Sequence, residues 1–204
     1  TGTIATTLLQ SSSVVTLMTL SFVSASMISL YSGIAVIFGA NVGTTVTSWI
    51  VATLGFKVKI EAFALPMIGL GGLLLMFAEP YKKVIMVAKV FIGFGLLFLG
   101  LEFMKTAIES LTTAFDLAQF VNFPLITFIG IGFLLTAIIQ SSSAATAIVL
   151  SALYVYILNF EQAAAMVIGT NIGTTVTAIL GSIGGIPDKK RVAMAHFIFN
   201  FITA

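Results

Sequence analysis

IIQSSSAAT (138–146) sets a polar tetrapeptide between apolar residues, and LLQSSSVVT (8–16) does the same 130 positions earlier. The chain around both copies is oily. Of its 204 residues, 59% are hydrophobic and 8% charged, with a mean hydropathy of +1.17. A soluble domain carries about 25% charged residues. Seven acids and nine bases could not cover a water-soluble fold of this length. Runs such as VIMVAKVFIGFGLLFLGLEFM (84–104) are long enough to cross about 30 Å of hydrocarbon as helices. These runs lack the period-2 alternation of a membrane β-barrel. The sequence predicts an all-α integral membrane protein.

The tetrapeptide is one part of a longer repeat. GANVGTTVT begins at Gly39 and GTNIGTTVT at Gly169, the same offset of 130. Without a gap, 16 of 44 positions are identical between 4–47 and 134–177. The identities gather at polar and glycine positions while the apolar filler drifts. Generic membrane composition would match leucines and isoleucines instead.

Span lengths give the repeat a shape. The second QSSS lies near the middle of the 35-residue apolar stretch 124–158. One straight helix of that length would measure about 52 Å, too long for a single crossing, whereas each arm alone is a little short. The stretch predicts a re-entrant helical hairpin with its tip at 140–143, and the first copy predicts another. A broken transmembrane helix follows each hairpin, at about 33–54 and 162–182, interrupted at Gly39–Gly43 and Gly169–Gly173. The predicted organisation is repeat 1 at 1–61, linking helices at 62–123, repeat 2 at 124–191, and a further transmembrane helix starting at 192–204. The linking region holds spans near 62–78 and 84–104. An amphipathic helix on the membrane interface is expected at 105–122, with Ile108, Leu111, Phe115 and Ala118 on one stripe. Both ends read as cuts in a longer protein.

Three crossings separate the two hairpins, an odd number, so the repeats are expected to have inverted topology. Lys82, Lys83, Lys89, Lys189, Lys190 and Arg191 fall on one side and Lys57, Lys59 and Lys105 on the other. The positive-inside rule makes the first side cytoplasmic.

QSSS suits a hairpin tip at the bilayer midplane. Serine hydroxyls cap the outgoing helix, whose free N–H groups form an anion-binding surface without a cationic side chain. Gln10 and Gln140 add amide donors and a carbonyl acceptor each. Glycines in Gly-x-Asn-x-Gly-Thr-Thr would let a helix unwind, leaving carbonyls and the Asn oxygen for a small hard cation. Thr44, Thr45, Thr174 and Thr175 would face the anion. The plainer reading of Gly-x-x-x-Gly is helix packing, and Ser and Thr also join membrane helices. Two different motifs repeated at one offset favour a binding site. A lone membrane histidine such as His196, with Asn200 one turn on, is more often a packing residue.

Two QSSS motifs, each followed by G-x-N-x-G-T-T, resemble the type II sodium–phosphate cotransporter family and its bacterial Na/Pi relatives. KKRVAMAHFIFN (189–200) is similar to the segment after that family's second repeat. The resemblance covers most of the chain and implies sodium-coupled movement of inorganic phosphate by alternating access. It implies substrate binding by Gln10, Ser11, Ser12, Ser13, Thr44, Thr45, Gln140, Ser141, Ser142, Ser143, Thr174 and Thr175. Sodium binding would fall to Gln10, Ser12, Asn41, Gln140, Ser142, Asn171 and Thr174. Expected partners are phosphate, sodium as co-substrate and the lipid bilayer, in a multi-pass protein of the plasma membrane (the cell inner membrane). A homo-oligomer and a cytoplasmic regulatory domain in the full-length chain stay open.

Other readings are weighed against this one. The runner-up is a sodium-coupled transporter of sulfate, arsenate or a dicarboxylate; a passive anion channel and a helix-packing scaffold come after it. Zero Cys, one His and two Asp leave no nucleophile–base pair and no transition-metal cluster, so no enzyme or cofactor is expected. A scattered net charge of +2 gives no footing for nucleic acid.

Overall fold

The computed structural model describes residues 1–54, 61–77, 81–114 and 123–204. The chain divides into two compact units, one of residues 1–49 and 118–204, the other of 50–117. Among the described residues the regular elements are helices: α1 (Gly2–Leu9), α2 (Ser12–Ser24), α3 (Leu30–Leu54), α4 (Glu61–Phe77), α5 (Lys82–Ala114), α6 (Leu125–Ile139), α7 (Ser142–Tyr154), α8 (Phe160–Gly173), α9 (Thr175–Ser182) and α10 (Pro187–Ile202). Three stretches among them are long and apolar enough to cross a membrane, Leu30–Thr53, Lys82–Ala107 and Phe160–Ser182.

In the first unit each QSSS forms a two-residue turn between helices. Gln10 ends α1 with φ 53° and ψ 28°, and Gln140 ends α6 with φ 59° and ψ 23°. A left-handed non-glycine residue costs about 1–2 kcal/mol. The glutamine side chain offsets that cost, because its Nε2 donates to a last-turn carbonyl with no helical partner of its own, Thr7 O from Gln10 and Ala137 O from Gln140. Ser11 and Ser141 are extended and open α2 and α7. Their Oγ atoms accept from Val14 N and Ala144 N, both at 3.3 Å. Such a cap contributes about 1 kcal/mol. One serine per motif caps; Ser12 and Ser13, like Ser142 and Ser143, already belong to the next helix.

The repeat persists at the far end of α2 and α7. Ser26 and Tyr156 both take positive φ, 57° and 61°, in matching turns. Tyr156 is 93% exposed and stands at the 130 offset from a serine, so this turn selects backbone shape and not side chain.

The glycine segments correct the sequence expectation. α3 runs unbroken through Gly39–Gly43, and α8 continues to Gly173, with a single turn residue, Thr174, before α9. The glycines serve close packing. A Cβ on Gly43 would stand 2.6 Å from Thr3 O, and one on Gly173 would stand 2.6 Å from Phe133 O. Gly39 and Gly169 likewise meet backbone of the preceding hairpin arm. Unwinding would forfeit this packing, and the motif's threonines also bond back to the helix. α3 has no interruption to bare its carbonyls, and at the Thr174 break the hydroxyls of Thr174 and Thr175 donate to Thr170 O, Asn171 O and Ile172 O.

Two cores hold the unit. Leu20 and Val23 of α2 pack with Ile37 of α3, Ala178 of α9, and Val192 and Ala193 of α10. Phe128 of α6 and Val149 of α7 pack with Ala163, Ala165 and Met166 of α8. α10 starts at Pro187, whose missing N–H and fixed φ suit a first helical position, so the predicted boundary at 191/192 falls inside a helix.

In the second unit α4 packs on α5. A Cβ on Gly71 would lie 2.8 Å from Ala88 O, and one on Gly95 would lie 2.9 Å from Ala64 O. Pro66 lies inside α4. α5 is one helix of 33 residues, so 105–114 continues the helix of 84–104 and does not begin a separate element as expected. The rest of that predicted amphipathic helix, 115–122, lies outside the described residues.

Candidate functional site

A cavity of about 280 Å³ opens in the first unit between α3, α7, α8 and α10. Asn41, Thr44, Thr45 and Ser48 line it from α3. Ser142 and Thr146 line it from α7; Val167, Ile168, Thr170 and Asn171 from α8; Phe199 from α10. Among the described residues no charged side chain lines it.

The hydroxyls have a defined polarity. A hydroxyl carries one hydrogen and two lone pairs. Thr44 Oγ1 donates to Ala40 O at 3.0 Å, Thr45 Oγ1 to Val42 O at 2.7 Å, and Thr170 Oγ1 to Val167 O at 2.8 Å. Carbonyls only accept, so these hydrogens are committed and the threonines offer lone pairs. Thr146 Oγ1 lies 3.4 Å from Thr170 Oγ1 and is the donor of that pair, because the Thr170 hydrogen is in use. Donors come from elsewhere. Ser142 is the first residue of α7, where backbone N–H groups lack helical acceptors and the dipole is positive. Asn171 adds an amide.

Asn41 is held from behind. Its Nδ2 donates to Asn200 Oδ1 at 2.7 Å, and its Oδ1 lies 3.4 Å from His196 Nε2. Asn200 Nδ2 donates to His196 O at 2.9 Å. His196 and Asn200 are 2% and 0% exposed. Phe38, one turn before Asn41, stacks on Phe199, the residue just before Asn200, with ring centroids 4.1 Å apart.

The cavity thus gathers Asn41, Thr44, Thr45, Ser142 and Asn171 from the predicted set. Thr174 and Thr175 are buried in the helix junction, donating to Thr170 O, Asn171 O and Ile172 O. Gln10, Ser11, Ser12, Ser13, Gln140, Ser141 and Ser143 do not line it. Both glutamines are occupied in their turns, with Oε1 accepting from Thr47 at 2.6 Å and from Thr177 at 2.8 Å. Sequence reasoning missed Ser48, Thr146 and Thr170. It also set aside His196 and Asn200, whose signal was their shared face on one helix beside an invisible partner, Asn41, 155 and 159 positions away.

This arrangement of hairpin turns and Gly-x-Asn-x-Gly-Thr-Thr helices extends over the whole repeat, and so does the similarity to known proteins. The chain matches the Na⁺/Pi-cotransporter family over residues 1–106 and 112–203. The chain belongs to that family. It is a family of transporters, and the apolar helices of this member fit a membrane protein. Protein YqeW of Bacillus subtilis is 34% identical over 200 residues, covering 97% of this chain and 63% of the relative. The "Putative inorganic phosphate export protein YjbB" of Salmonella typhimurium is 29% identical over 203 residues, covering 97% of this chain and 36% of the relative. Sodium-dependent phosphate transport protein 2C of Rattus norvegicus is 40% identical over 70 residues, 32% of this chain and 12% of the relative. The chain therefore spans less than two thirds of the length of these relatives. No solved structure gives a significant match.

Proposed function

We propose that this chain is the substrate-handling part of a secondary transporter that couples sodium ions to inorganic phosphate movement by alternating access. The observation that carries the reading is the uncharged cavity walled by Asn41, Thr44 and Thr45 from one repeat and Ser142 and Asn171 from the other. Phosphate belongs at the α7 N-terminus, where Ser142, free N–H groups and the Asn171 amide donate. Sodium belongs by the acceptor oxygens of Asn41, Thr44, Thr45 and Thr170.

Coupling follows from charge. Phosphate is a multiply charged oxyanion, and a helix terminus alone offsets little of that charge out of water. A co-bound sodium supplies positive charge that no cavity side chain provides. Each ion thereby favours the other's binding, which is what lets a gradient of one drive the other.

The hairpins fit this reading if they are re-entrant and inverted. α6 and α7 measure about 22 and 20 Å, each too short to cross about 30 Å of hydrocarbon. A pair joined by a tight turn would enter and leave by one face, with α3, α4 and α5 as the three crossings between the hairpins. Names of relatives include both export and sodium-dependent transport of phosphate, and the direction in the cell follows from the gradients there.

The test is phosphate flux in proteoliposomes of the full-length protein, loaded so that sodium gradients of either direction can be imposed. Flux that follows the sodium gradient supports the proposal. Phosphate movement indifferent to sodium would make this a channel. Sodium-driven flux of sulfate or a dicarboxylate in place of phosphate would keep the coupling and change the cargo.

A further inference from the structure

The hydrogen bonds behind Asn41 can be read in only one direction. His196 O is a backbone carbonyl and therefore an acceptor. Asn200 Nδ2 must be the atom that faces it, at 2.9 Å. Asn200 then presents Oδ1 to Asn41, so the atom of Asn41 at 2.7 Å is Nδ2. The remaining Asn41 atom is Oδ1, again an acceptor, and it lies 3.4 Å from His196 Nε2. That nitrogen has to carry a proton. Its partner in the ring, Nδ1, is buried with no hydrogen-bond partner among the described residues. A proton on Nδ1 would be a buried donor with nowhere to go.

We infer that His196, as the neutral Nε2–H tautomer, and Asn200 are positioning residues that fix the orientation of the Asn41 amide in the cavity wall. Asn41 then has one Oδ1 lone pair and one Nδ2 hydrogen left over. It cannot turn its amide end for end without breaking both bonds to α10. The cavity wall on α3 keeps an acceptor at this position, beside the lone pairs of Thr44 and Thr45. That polarity favours a small hard cation over an anion on this side of the cavity. The ring stack of Phe38 on Phe199 joins the same two helices beside these bonds. In this way α10, outside both repeated motifs, sets the ion preference of a motif residue. The inference rests on the proposed site for its functional consequence and on hydrogen-bond geometry alone for its structural part.

The experiment has two arms, so failure of one reading is told from failure of the other. The first needs no transport. Full-length protein is labelled with ¹⁵N-histidine and studied by NMR in lipid nanodiscs, and the His196 signals are those lost in His196→Gln. The expected result at neutral pH is a neutral ring protonated at Nε2, with the Nε2–H signal displaced in Asn41→Ala. A ring protonated at Nδ1, or one indifferent to Asn41→Ala, overturns the inference.

The second arm reads sodium half-saturation of phosphate flux. His196→Gln keeps an N–H donor and should stay within about twofold of the wild type, while His196→Leu should raise half-saturation about threefold to tenfold with the maximal rate less affected. Asn200→Leu should show the same sodium defect, and serves where His196→Leu does not fold. Unchanged sodium dependence in folded Asn200→Leu overturns the assignment. If the wild type moves no phosphate under any gradient, the transport proposal fails alone and the NMR arm decides His196.

Discussion

Thr177 donates its hydroxyl hydrogen to Gln140 Oε1 at 2.8 Å, tying the turn between α6 and α7 to α9. The same bond joins Thr47 to Gln10 at 2.6 Å in the other repeat. Each glutamine therefore works in two directions, closing its own helix through Nε2 and holding a neighbouring helix through Oε1. The final threonine of GTTVT is a structural partner of QSSS, which explains why the two motifs occur together.

Thr177→Val removes that bond with little change in volume. A hydrogen bond of this kind contributes about 1 kcal/mol. Hydrogen–deuterium exchange around 140–146 should accelerate in the variant, while 10–16 keeps its wild-type rate. Equal acceleration at both turns, or none, would contradict the latch.

Gly173→Leu should cost stability, because its first side-chain atom would lie 2.6 Å from Phe133 O and 2.8 Å from Thr136 Cβ. Overpacking of this kind costs about 1–3 kcal/mol or more. Gly69→Leu meets no atom within 4 Å of its Cβ and should melt like the wild type. Thermal melts of the purified protein in one detergent compare the pair. A Gly173→Leu protein as stable as Gly69→Leu would return the glycines to the unwinding role that the sequence proposed.

Neighbouring serines should separate capping from binding. Ser141→Ala loses the bond from Ala144 N and should lower stability by about 1 kcal/mol. Ser142→Ala removes a cavity hydroxyl and no cap, so it should weaken phosphate half-saturation by about threefold to tenfold with a near-native melting curve. Melting curves and concentration dependence of flux, measured on both variants, check the division. A melting loss in Ser142→Ala with unchanged phosphate dependence would reverse it.

Thr45→Val keeps the shape of an acceptor in the cavity wall and deletes its oxygen. Sodium half-saturation should rise several-fold, and phosphate half-saturation at saturating sodium should move less. A larger effect on phosphate than on sodium would place the anion on the α3 side.

The fold was legible where sequence pattern maps onto hydrogen bonds. QSSS marked both turns between helices, at Gln10–Ser11 and Gln140–Ser141, since a polar cap inside an apolar run has few other uses. The 130-residue offset reappeared in the conformations of Gln10 and Gln140 and of Ser26 and Tyr156. Gly39–Gly43 was misread, because glycine serves a break and a close contact equally; after Gly169–Gly173 the helix does break, but at Thr174, with the glycines themselves packed on α6. The extent of α5 was hidden by composition: polar residues from Lys105 onward look interfacial, yet helix geometry carries on through them. In the site, motif residues such as Asn41 and Ser142 announced themselves by repetition. His196, Asn200 and Thr170 did not, since none of the three recurs at the offset and their contacts join separate helices; Thr146 does recur, opposite Thr16, but lies outside the two motifs read as a site.

The most direct test of the central claim is radiolabelled phosphate flux through full-length protein in proteoliposomes, with an imposed sodium gradient or an equal potassium gradient, for the wild type and for Asn41→Leu. The account predicts accumulation with sodium only, and loss of that accumulation in Asn41→Leu although the variant reconstitutes normally. Wild-type levels of sodium-driven accumulation in Asn41→Leu would contradict it, because the cavity between the repeats would then not be where sodium and phosphate meet.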